Sequence, residues 1–108
     1  MEKTAAGVKN DGGKARWDLL SGDALQEAAE IMTLGAVKYA PRNYLKGIAW
    51  GRYFAAAMRH LWGWWRGEDY DQETGKSHLS HALCCIMILR DLSIHRPEFD
   101  DRPKSGHS

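Results

Sequence analysis

From Ser77 to Ile94 the sequence runs SHLSHALCCIMILRDLSI, and its middle is apolar on nearly every side. A helix that is hydrophobic all round is a buried helix, so this segment predicts the central helix of the domain. Pro97 follows its end. The uninterrupted apolar run, Ala82 to Leu89, is far too short to cross a bilayer, which needs roughly 20 apolar residues.

Two further helices are predicted before this one. The first runs from Ala24 to Tyr39, where apolar residues recur at helical spacing until Pro41 stops the pattern. The second runs from Gly51 to Arg66 and ends at Gly67. An acidic loop, residues 67–76, joins it to the third helix, and no strand-like alternation is present. The fold class is therefore predicted to be all-α, a compact bundle of three main helices.

The chain of 108 residues divides into three parts. Residues 1–16 are polar and glycine-rich and are predicted to form a flexible arm. Residues 17–95 form the helical domain. Residues 96–108 are polar, contain two prolines, and are expected to be a loose tail.

Charge and cysteine content exclude several classes of protein. The 15 basic residues nearly balance the 14 acidic ones, which argues against a dedicated nucleic-acid binder. Residues 1–10 have no apolar core of the signal-peptide kind. Cys84 and Cys85 are neighbours and too close for an ordinary disulfide. These features predict a reduced, cytoplasmic protein without membrane contact.

Three helices make a thin core, yet the chain carries five tryptophans and four tyrosines. Large aromatic side chains dominate the energetics of interfaces. We therefore expect a homodimer or homotetramer to complete the core. The alternative is that every aromatic side chain packs within one copy of the chain.

Two pairs of polar residues, each three positions apart, are candidates for chemistry. Glu27 and Glu30 project from one face of the first helix, a face that they share with Ile31 and Leu34. Paired carboxylates can hold a hard divalent cation, although a solvated helix face is the alternative. His78 and His81 open the third helix, where they either bind a metal or phosphate or serve as satisfied core residues.

Other charged residues are weaker candidates. Asp69 and Asp71 in the acidic loop lie close enough to the third helix to join a metal site, although the spacing rejects a calcium-binding EF-hand. Lys38 shares the face of Glu27 and Glu30. Gly12-Gly13-Lys14 lacks the remaining residues of a P-loop.

Taken together, these motifs resemble the MazG-like all-α nucleotide pyrophosphohydrolases, which carry Glu-Glu-x-x-Glu on one helix and Glu-x-x-Asp on a later one. Gln26-Glu27-x-x-Glu30 matches the first with one change, and His78-x-x-His81 stands where the second is expected. The resemblance is closer to a phage-type branch of dATP/dGTP diphosphohydrolase-like proteins. The matching segments are Gly13–Leu20, Gly35–Tyr39, Arg42–Tyr44, Arg59–Leu61, Trp64–Asp69 and Ser77–Ala82.

The resemblance implies metal-dependent hydrolysis of a deoxynucleoside triphosphate, dGTP or dATP, to the monophosphate and pyrophosphate, with Mg²⁺ or Mn²⁺ as cofactor. It implies that Glu27 and Glu30 are catalytic. The implied metal ligands are Glu27, Glu30, Asp69, Asp71, His78 and His81. The implied substrate-binding residues are Lys14, Arg16, Trp17, Lys38, Tyr39, Arg42, Asn43 and Arg59. Trp50 and Tyr53 are further candidates for stacking on the base.

Two alternatives of different classes stay open. A His/Asp-type phosphohydrolase would release inorganic phosphate or triphosphate, and His60, His78, His81, Asp69 and Asp71 supply the ligand types, although no adjacent His-Asp pair exists. A non-catalytic helical module would bind nucleotides or a partner helix, as the Trp-rich second helix suggests.

Overall fold

The computed structural model describes residues 6–104. It contains three α-helices: α1 (Gly22–Tyr39), α2 (Trp50–Trp65) and α3 (His78–His95). Three short 3₁₀ helices cover Trp17–Leu19, Asn43–Lys46 and Pro97–Phe99. The described residues form no strand beyond an isolated bridge between Tyr70 and Ser77. The predicted all-α bundle of three main helices is confirmed.

Each helix boundary falls within two residues of its prediction. The α1 helix begins at Gly22 rather than Ala24, because the hydroxyl of Ser21 caps it by accepting a hydrogen bond from the backbone N–H of Ala24. At α3, the Ser77 hydroxyl accepts from the backbone N–H of Leu79 in the same way.

The predicted central position of α3 follows from its packing: both α1 and α2 pack on it. Ala28 and Ile31 of α1 form one apolar cluster with Cys84 of α3. Trp50 of α2 forms a second cluster, with Ile88 and Leu92 on α3. Because α3 buries two faces against two helices, an apolar middle without a polar side is what its position requires.

The segment after α3 packs on the domain, and the expectation of a loose tail is wrong for residues 96–103. The ring of Phe99 joins the second apolar cluster. The carboxylate of Asp101 accepts a hydrogen bond from the backbone N–H of Gly51 at the start of α2, at 2.8 Å. The guanidinium of Arg102 lies 4.9 Å from the centroid of the Trp50 ring. Burial of Phe99 and the bond from Gly51 to Asp101 therefore hold this segment against the domain, although its sequence is polar. Residues 105–108 lie outside the described range.

Gly47 is the position where this packing is most sensitive to substitution. Its φ is 105°, and an added Cβ would overlap the ring of Phe99. Gly47→Ala is expected to lower the free energy of unfolding by about 2–3 kcal/mol, because it adds a clash to the strain of a positive φ. Urea unfolding followed by tryptophan fluorescence measures the change.

Gly67→Ala is the matched control for this prediction. Gly67 has a similar φ of 103°, but an added Cβ there meets nothing within 4 Å. Gly67→Ala should lower the free energy of unfolding only by the cost of a positive φ in a residue that has a Cβ, about 1–2 kcal/mol. Equal losses for the two variants would contradict a tight contact between Gly47 and Phe99.

Large apolar side chains remain exposed along α2. Phe54, Trp62 and Trp65 are 59%, 56% and 70% exposed in the single chain. The predicted homo-oligomer would cover such a surface, and it stays a prediction. Among residues 6–104, no helix is both long enough and apolar enough to span a bilayer.

Candidate active site

The acidic loop between α2 and α3 closes back on itself. The backbone N–H of Asp71 donates to the carbonyl of Lys76 at 2.8 Å, and the backbone N–H of His78 donates to the carbonyl of Asp69 at 3.0 Å. The backbone N–H of Glu68 donates to the carbonyl of Gly63 at 3.0 Å. These bonds hold the acidic side chains of the loop beside the first turn of α3.

Three histidines from two helices meet next to this loop. His60 comes from α2, and His78 and His81 come from α3; together with Asp71 we call them the histidine cluster. The Nδ1 atoms of His60 and His78 are 2.9 Å apart. The rings of His60 and His81 stack with their centroids 4.5 Å apart and an interplanar angle of 10°. The structure therefore brings both predicted histidines to one place and adds a third.

The most deeply buried member of the cluster is His78, whose orientation is set from two sides. Its Nε2 lies 2.7 Å from a carboxylate oxygen of Glu68, and the residue is only 6% exposed. On the side of α2, an added Cβ at Gly63 would lie 3.2 Å from the same nitrogen. A carboxylate can only accept, so Nε2 of His78 carries a proton, and the Nδ1 atom of the same ring faces Nδ1 of His60.

Asp71 is held by its own loop. One of its carboxylate oxygens, Oδ2, accepts hydrogen bonds from the backbone N–H and the hydroxyl of Thr74, at 2.9 and 3.1 Å. Burial raises the pKa of Asp71, but the bonds from Thr74 outweigh it and leave the pKa below its ordinary value. The hydroxyl of Thr74 also lies 2.7 Å from Nε2 of His81. Since that hydroxyl donates to Asp71, Nε2 of His81 is the donor in this second bond.

Two of the histidines are kept neutral by their surroundings. Burial lowers the pKa of His60, and the neighbouring His81 and His78 lower it further. Burial also lowers the pKa of His81, although Asp71 acts in the opposite direction. Both imidazoles are therefore mainly uncharged near pH 7, the form in which a ring nitrogen can accept a hydrogen bond or bind a metal.

The predicted carboxylate pair, Glu27 and Glu30, lies at the N-terminus of α3. Glu27 accepts a hydrogen bond from the backbone N–H of Ser77 at 3.0 Å, and the hydroxyl of Ser80 and that backbone bond lower its pKa. Glu30 forms an ion pair of 2.6 Å with Lys76, which lowers the pKa of its carboxyl. Both carboxylates are ionised at neutral pH, and both already have protein partners.

A cleft of about 310 Å³ opens beside these groups, between α1, the loop that follows it, α2 and α3. Its walls are mainly apolar and aromatic, and one end is polar. The apolar wall includes Ile31, Leu34, Tyr44, Tyr53 and Ile88; the polar end includes Glu73, Thr74 and His81; and Lys38, Tyr39 and Asn43 complete the lining. Glu27 lies one helical turn, about 6 Å, before Ile31, so the carboxylate pair is next to the cleft but does not line it.

The remaining predicted substrate-binding residues lie elsewhere. Arg42 and Arg59 are exposed and are not part of the cleft lining. Lys14, Arg16 and Trp17 lie in the exposed segment before α1, where Arg16 pairs with Asp18 at 2.7 Å. Of the two further base-stacking candidates, Tyr53 lines the cleft, whereas Trp50 is buried in the core. The side chain of Asp69 is exposed, and its backbone carbonyl is what contacts α3.

The sequence patterns indicated His60 only for the His/Asp-type alternative, and they assigned Glu68, Thr74 and Lys76 to no site. His60 stands within the alanine-rich and aromatic α2, with no second ligand residue at helical spacing beside it. Glu68, Thr74 and Lys76 belong to a loop, where spacing does not predict side-chain direction. One feature of the sequence could have indicated these loop residues. The segment from Glu68 to His81 contains many polar residues, although it leads directly into a buried helix.

Comparison with known proteins places this chain in a family. Residues 4–102 match the family described as dATP/dGTP diphosphohydrolase, N-terminal. The chain belongs to this family. The predicted resemblance to phage-type dATP/dGTP diphosphohydrolase-like proteins is thereby confirmed, and the cleft, the carboxylate pair and the histidine cluster all lie within the matched residues.

A curated relative supports the same placement. A protein of Salmonella phage PMBT28, named dATP/dGTP diphosphohydrolase, is 34% identical over 96 residues. The alignment covers 89% of this chain and 33% of the relative, so this member of the dATP/dGTP diphosphohydrolase family spans about a third of the length of that protein. No solved structure matches the chain.

Proposed function

We propose that this chain catalyses the metal-dependent hydrolysis of deoxynucleoside triphosphates, dGTP and dATP, to the monophosphate and pyrophosphate. The observation that carries the proposal is the cleft, because its mainly apolar lining includes His81 of the histidine cluster and Ile31, which follows Glu30 in the chain. The name of the phage relative supports the choice of purine deoxynucleotides.

The apolar part of the cleft suits a nucleobase. Tyr39 and Tyr53 offer aromatic rings on which a base can stack, and the half-buried Asn43 offers an amide that can donate to or accept from a base edge. Ligand pockets of this kind are mostly apolar with a few placed polar groups. The volume of about 310 Å³ lies at the lower end of the usual range for small-molecule sites.

The triphosphate would extend towards the polar end, where charges of both signs are present. Lys38 is part of the cleft lining, and Lys76 forms an ion pair with Glu30 of the carboxylate pair. Asp71, Glu73 and Glu27 are negative in the same region, so two lysines alone do not make it attractive to a polyanion. A bound divalent cation would reverse this balance.

The residues present fit such a cation. The ligand atoms of His60, Asp71 and His78 all lie within 4.8 Å of one another. Three of the six predicted ligands lie together in the histidine cluster: Asp71, His78 and His81. Glu30 could bind the same ion only if its bond to Lys76 were broken, and Glu27 only if its bond from the backbone N–H of Ser77 were broken. When bound, the metal supplies charge neutralisation for phosphate oxygens and acidifies the attacking water.

The chain's own groups account for the movement of the proton. In the reaction, a water oxygen bonds to the α-phosphorus while the bond from that phosphorus to the bridging oxygen breaks, and the electron pair leaves with pyrophosphate. The proton of the water passes to a base, for which we propose Glu27 or Glu30. Both are ionised at neutral pH, and Glu27 is near enough to His81 of the cleft lining to act on the pKa of that histidine.

A panel of the four deoxynucleoside triphosphates tests the proposal. Each is incubated with the chain and Mg²⁺ or Mn²⁺, and the products are separated by ion-exchange chromatography. The expected products are dGMP or dAMP and pyrophosphate in equal amounts. Tight nucleotide binding without turnover under every metal would overturn the proposal in favour of a binding module.

Glu27→Gln tests the assignment of the carboxylate pair. Glutamine keeps an oxygen that can accept from the N–H of Ser77, so α3 stays capped, but it cannot take a proton. We expect kcat to fall about tenfold or more. Steady-state pyrophosphate release measures it.

The matched control for Glu27→Gln is Glu98→Gln. Glu98 is exposed after α3, and within residues 6–104 its one ion pair is with Arg96 at 3.4 Å, so its loss should leave kcat unchanged. An unaltered rate in both Glu27→Gln and Glu30→Gln would remove these glutamates from the reaction.

The grouping of His60, Asp71 and His78 also favours a second candidate, a His/Asp-type phosphohydrolase. Such an enzyme would cleave a different bond and release inorganic phosphate or triphosphate. The same chromatographic assay separates the two, because pyrophosphate is expected only from attack at the α-phosphorus.

A further inference from the structure

We propose that His60, Asp71 and His78 form a binding site for a first-row transition-metal ion such as Zn²⁺, Co²⁺ or Mn²⁺, with Glu68 as the positioning residue. This deepens the proposed function by naming the ligand set and the class of ion. The role of the ion in hydrolysis rests on the proposed function, whereas the binding of the ion does not.

The ligand atoms already have the spacing of a metal site. The Nδ1 atoms of His60 and His78 are 2.9 Å apart. One ring nitrogen of each histidine and a carboxylate oxygen of Asp71 all lie within 4.8 Å of one another. Two nitrogens bound to one ion at about 2.0–2.1 Å are separated by roughly 3.0–3.4 Å for ordinary coordination angles. The side chains come from α2, the loop and α3, so three separate elements hold the arrangement.

The opposed Nδ1 atoms of His60 and His78 are close enough to share either a hydrogen bond or a metal ion. Because Nε2 of His78 donates to Glu68, Nδ1 of a neutral His78 presents a lone pair to Nδ1 of His60. Without a metal, an N–H of one ring donates to the lone pair of the other; with both Nδ1 atoms deprotonated, a metal ion between them binds both lone pairs. A metal ion satisfies both nitrogens at once and also meets the carboxylate of Asp71.

Supporting contacts around the three ligands are those that metal sites commonly have. A carboxylate that fixes the distal nitrogen of a histidine ligand is a recurrent arrangement, and Glu68 does this to His78 at 2.7 Å. Thr74 binds Oδ2 of Asp71 through its backbone and its hydroxyl, which orients the carboxylate. His81 stacks on His60 and lines the cleft, so the site adjoins the space proposed for the nucleotide.

The donor set selects the class of ion. Imidazole nitrogen suits Zn²⁺, Co²⁺ and Ni²⁺, whereas Mg²⁺ prefers oxygen ligands and retains its waters. Two imidazoles and one carboxylate therefore favour a transition metal over Mg²⁺. Three protein ligands also leave coordination positions open, as sites that act on a substrate do.

Metal binding is measured on the untagged chain, stripped with a chelator, in the absence of nucleotide. Calorimetric titration with Co²⁺, Zn²⁺ and Mg²⁺ should give one equivalent of Co²⁺ or Zn²⁺ bound about a hundredfold or more tighter than Mg²⁺. The visible absorption of bound Co²⁺ gives a second readout that reports on nitrogen ligands. Absence of Co²⁺ and Zn²⁺ binding by the unaltered chain would overturn the site.

Variants then test each part of the site. His60→Ala and Asp71→Asn should weaken Co²⁺ binding at least about tenfold, and Glu68→Gln should weaken it by roughly 10–100-fold although it removes no ligand. His95→Ala, which alters an exposed histidine at the other end of α3, is the control and should bind normally. Circular dichroism confirms that each variant is helical, and Glu68→Gln keeps the test decisive if His60→Ala does not fold.

The outcomes separate this site from the proposed activity. A chain that binds Co²⁺ through these residues but hydrolyses no nucleotide would retain the site and overturn the function. Pyrophosphate release with Mg²⁺ by a chain whose Co²⁺ binding is unaffected in His60→Ala, Asp71→Asn and Glu68→Gln would retain the function and overturn the site.

Discussion

Gly35→Phe is expected to lower kcat/KM for dGTP at least about a hundredfold, a loss of roughly 2.7 kcal/mol of transition-state stabilisation. Gly35 lies on α1 within the lining of the cleft, and an added Cβ there meets nothing within 4 Å. A phenyl ring can therefore enter the space proposed for the base without displacing the helix. Because glycine is a poor helix former, the substitution should also leave stability equal or slightly higher.

The matched control is Ala29→Phe, an exposed position on the same helix outside the cleft lining. Ala29→Phe adds the same ring, and its kcat/KM should stay within about twofold of the value for the unaltered chain, because surface substitutions usually have small effects. Nucleotide affinity, measured by calorimetry with a non-hydrolysable dGTP analogue, should fall in Gly35→Phe alone. Unchanged affinity and rate in Gly35→Phe would show that the nucleotide binds elsewhere, whatever the metal does.

Leu92→Ala is expected to lower the free energy of unfolding by about 2–5 kcal/mol. Leu92 is fully buried on α3 and packs with Trp50 and Ile88, with Phe99 of the C-terminal segment beside them. Removing its side chain leaves a cavity where α2, α3 and that segment meet. For a small domain this is a large fraction of the total stability. Guanidinium unfolding followed by tryptophan fluorescence gives the midpoint and the slope.

Ile94→Ala provides the comparison on the same helix. The side chain is of equal size but 52% exposed, so its loss should cost about 1 kcal/mol or less. Similar losses at the two positions would contradict the burial of Leu92. A loss at Ile94 that depends on protein concentration would instead reveal the predicted association of subunits.

Most of the fold could be predicted because helices are local structures. Ser21, Pro41, Gly67 and Ser77 mark helix ends through contacts within a few residues, and the structure places the boundaries within two residues of them. The C-terminal segment could not be predicted in the same way. Its order depends on the carboxylate of Asp101 capping α2 from 50 residues away, and polar composition carries no sign of such a contact.

The candidate site was predicted in part, for a related reason. Residues on one helix turn, such as His78 with His81 or Glu27 with Glu30, are neighbours by helical geometry alone. Whether the two pairs share an ion is a question of how α1 and α3 cross. The structure places the glutamates against Ser77 and Lys76 and turns the histidines towards His60, so each pair has its own set of partners.

Sequence alone determined three helices, the buried character of α3 and the family resemblance, since these depend on periodicity, capping residues and the order of motifs. Only tertiary structure decided that His60 faces His78 across 18 positions and that Glu68 and Asp71 flank that pair. The physical reason is that packing sets the rotation of one helix against another, and loop closure sets the direction of loop side chains. Neither quantity is carried by the spacing of residues along the chain.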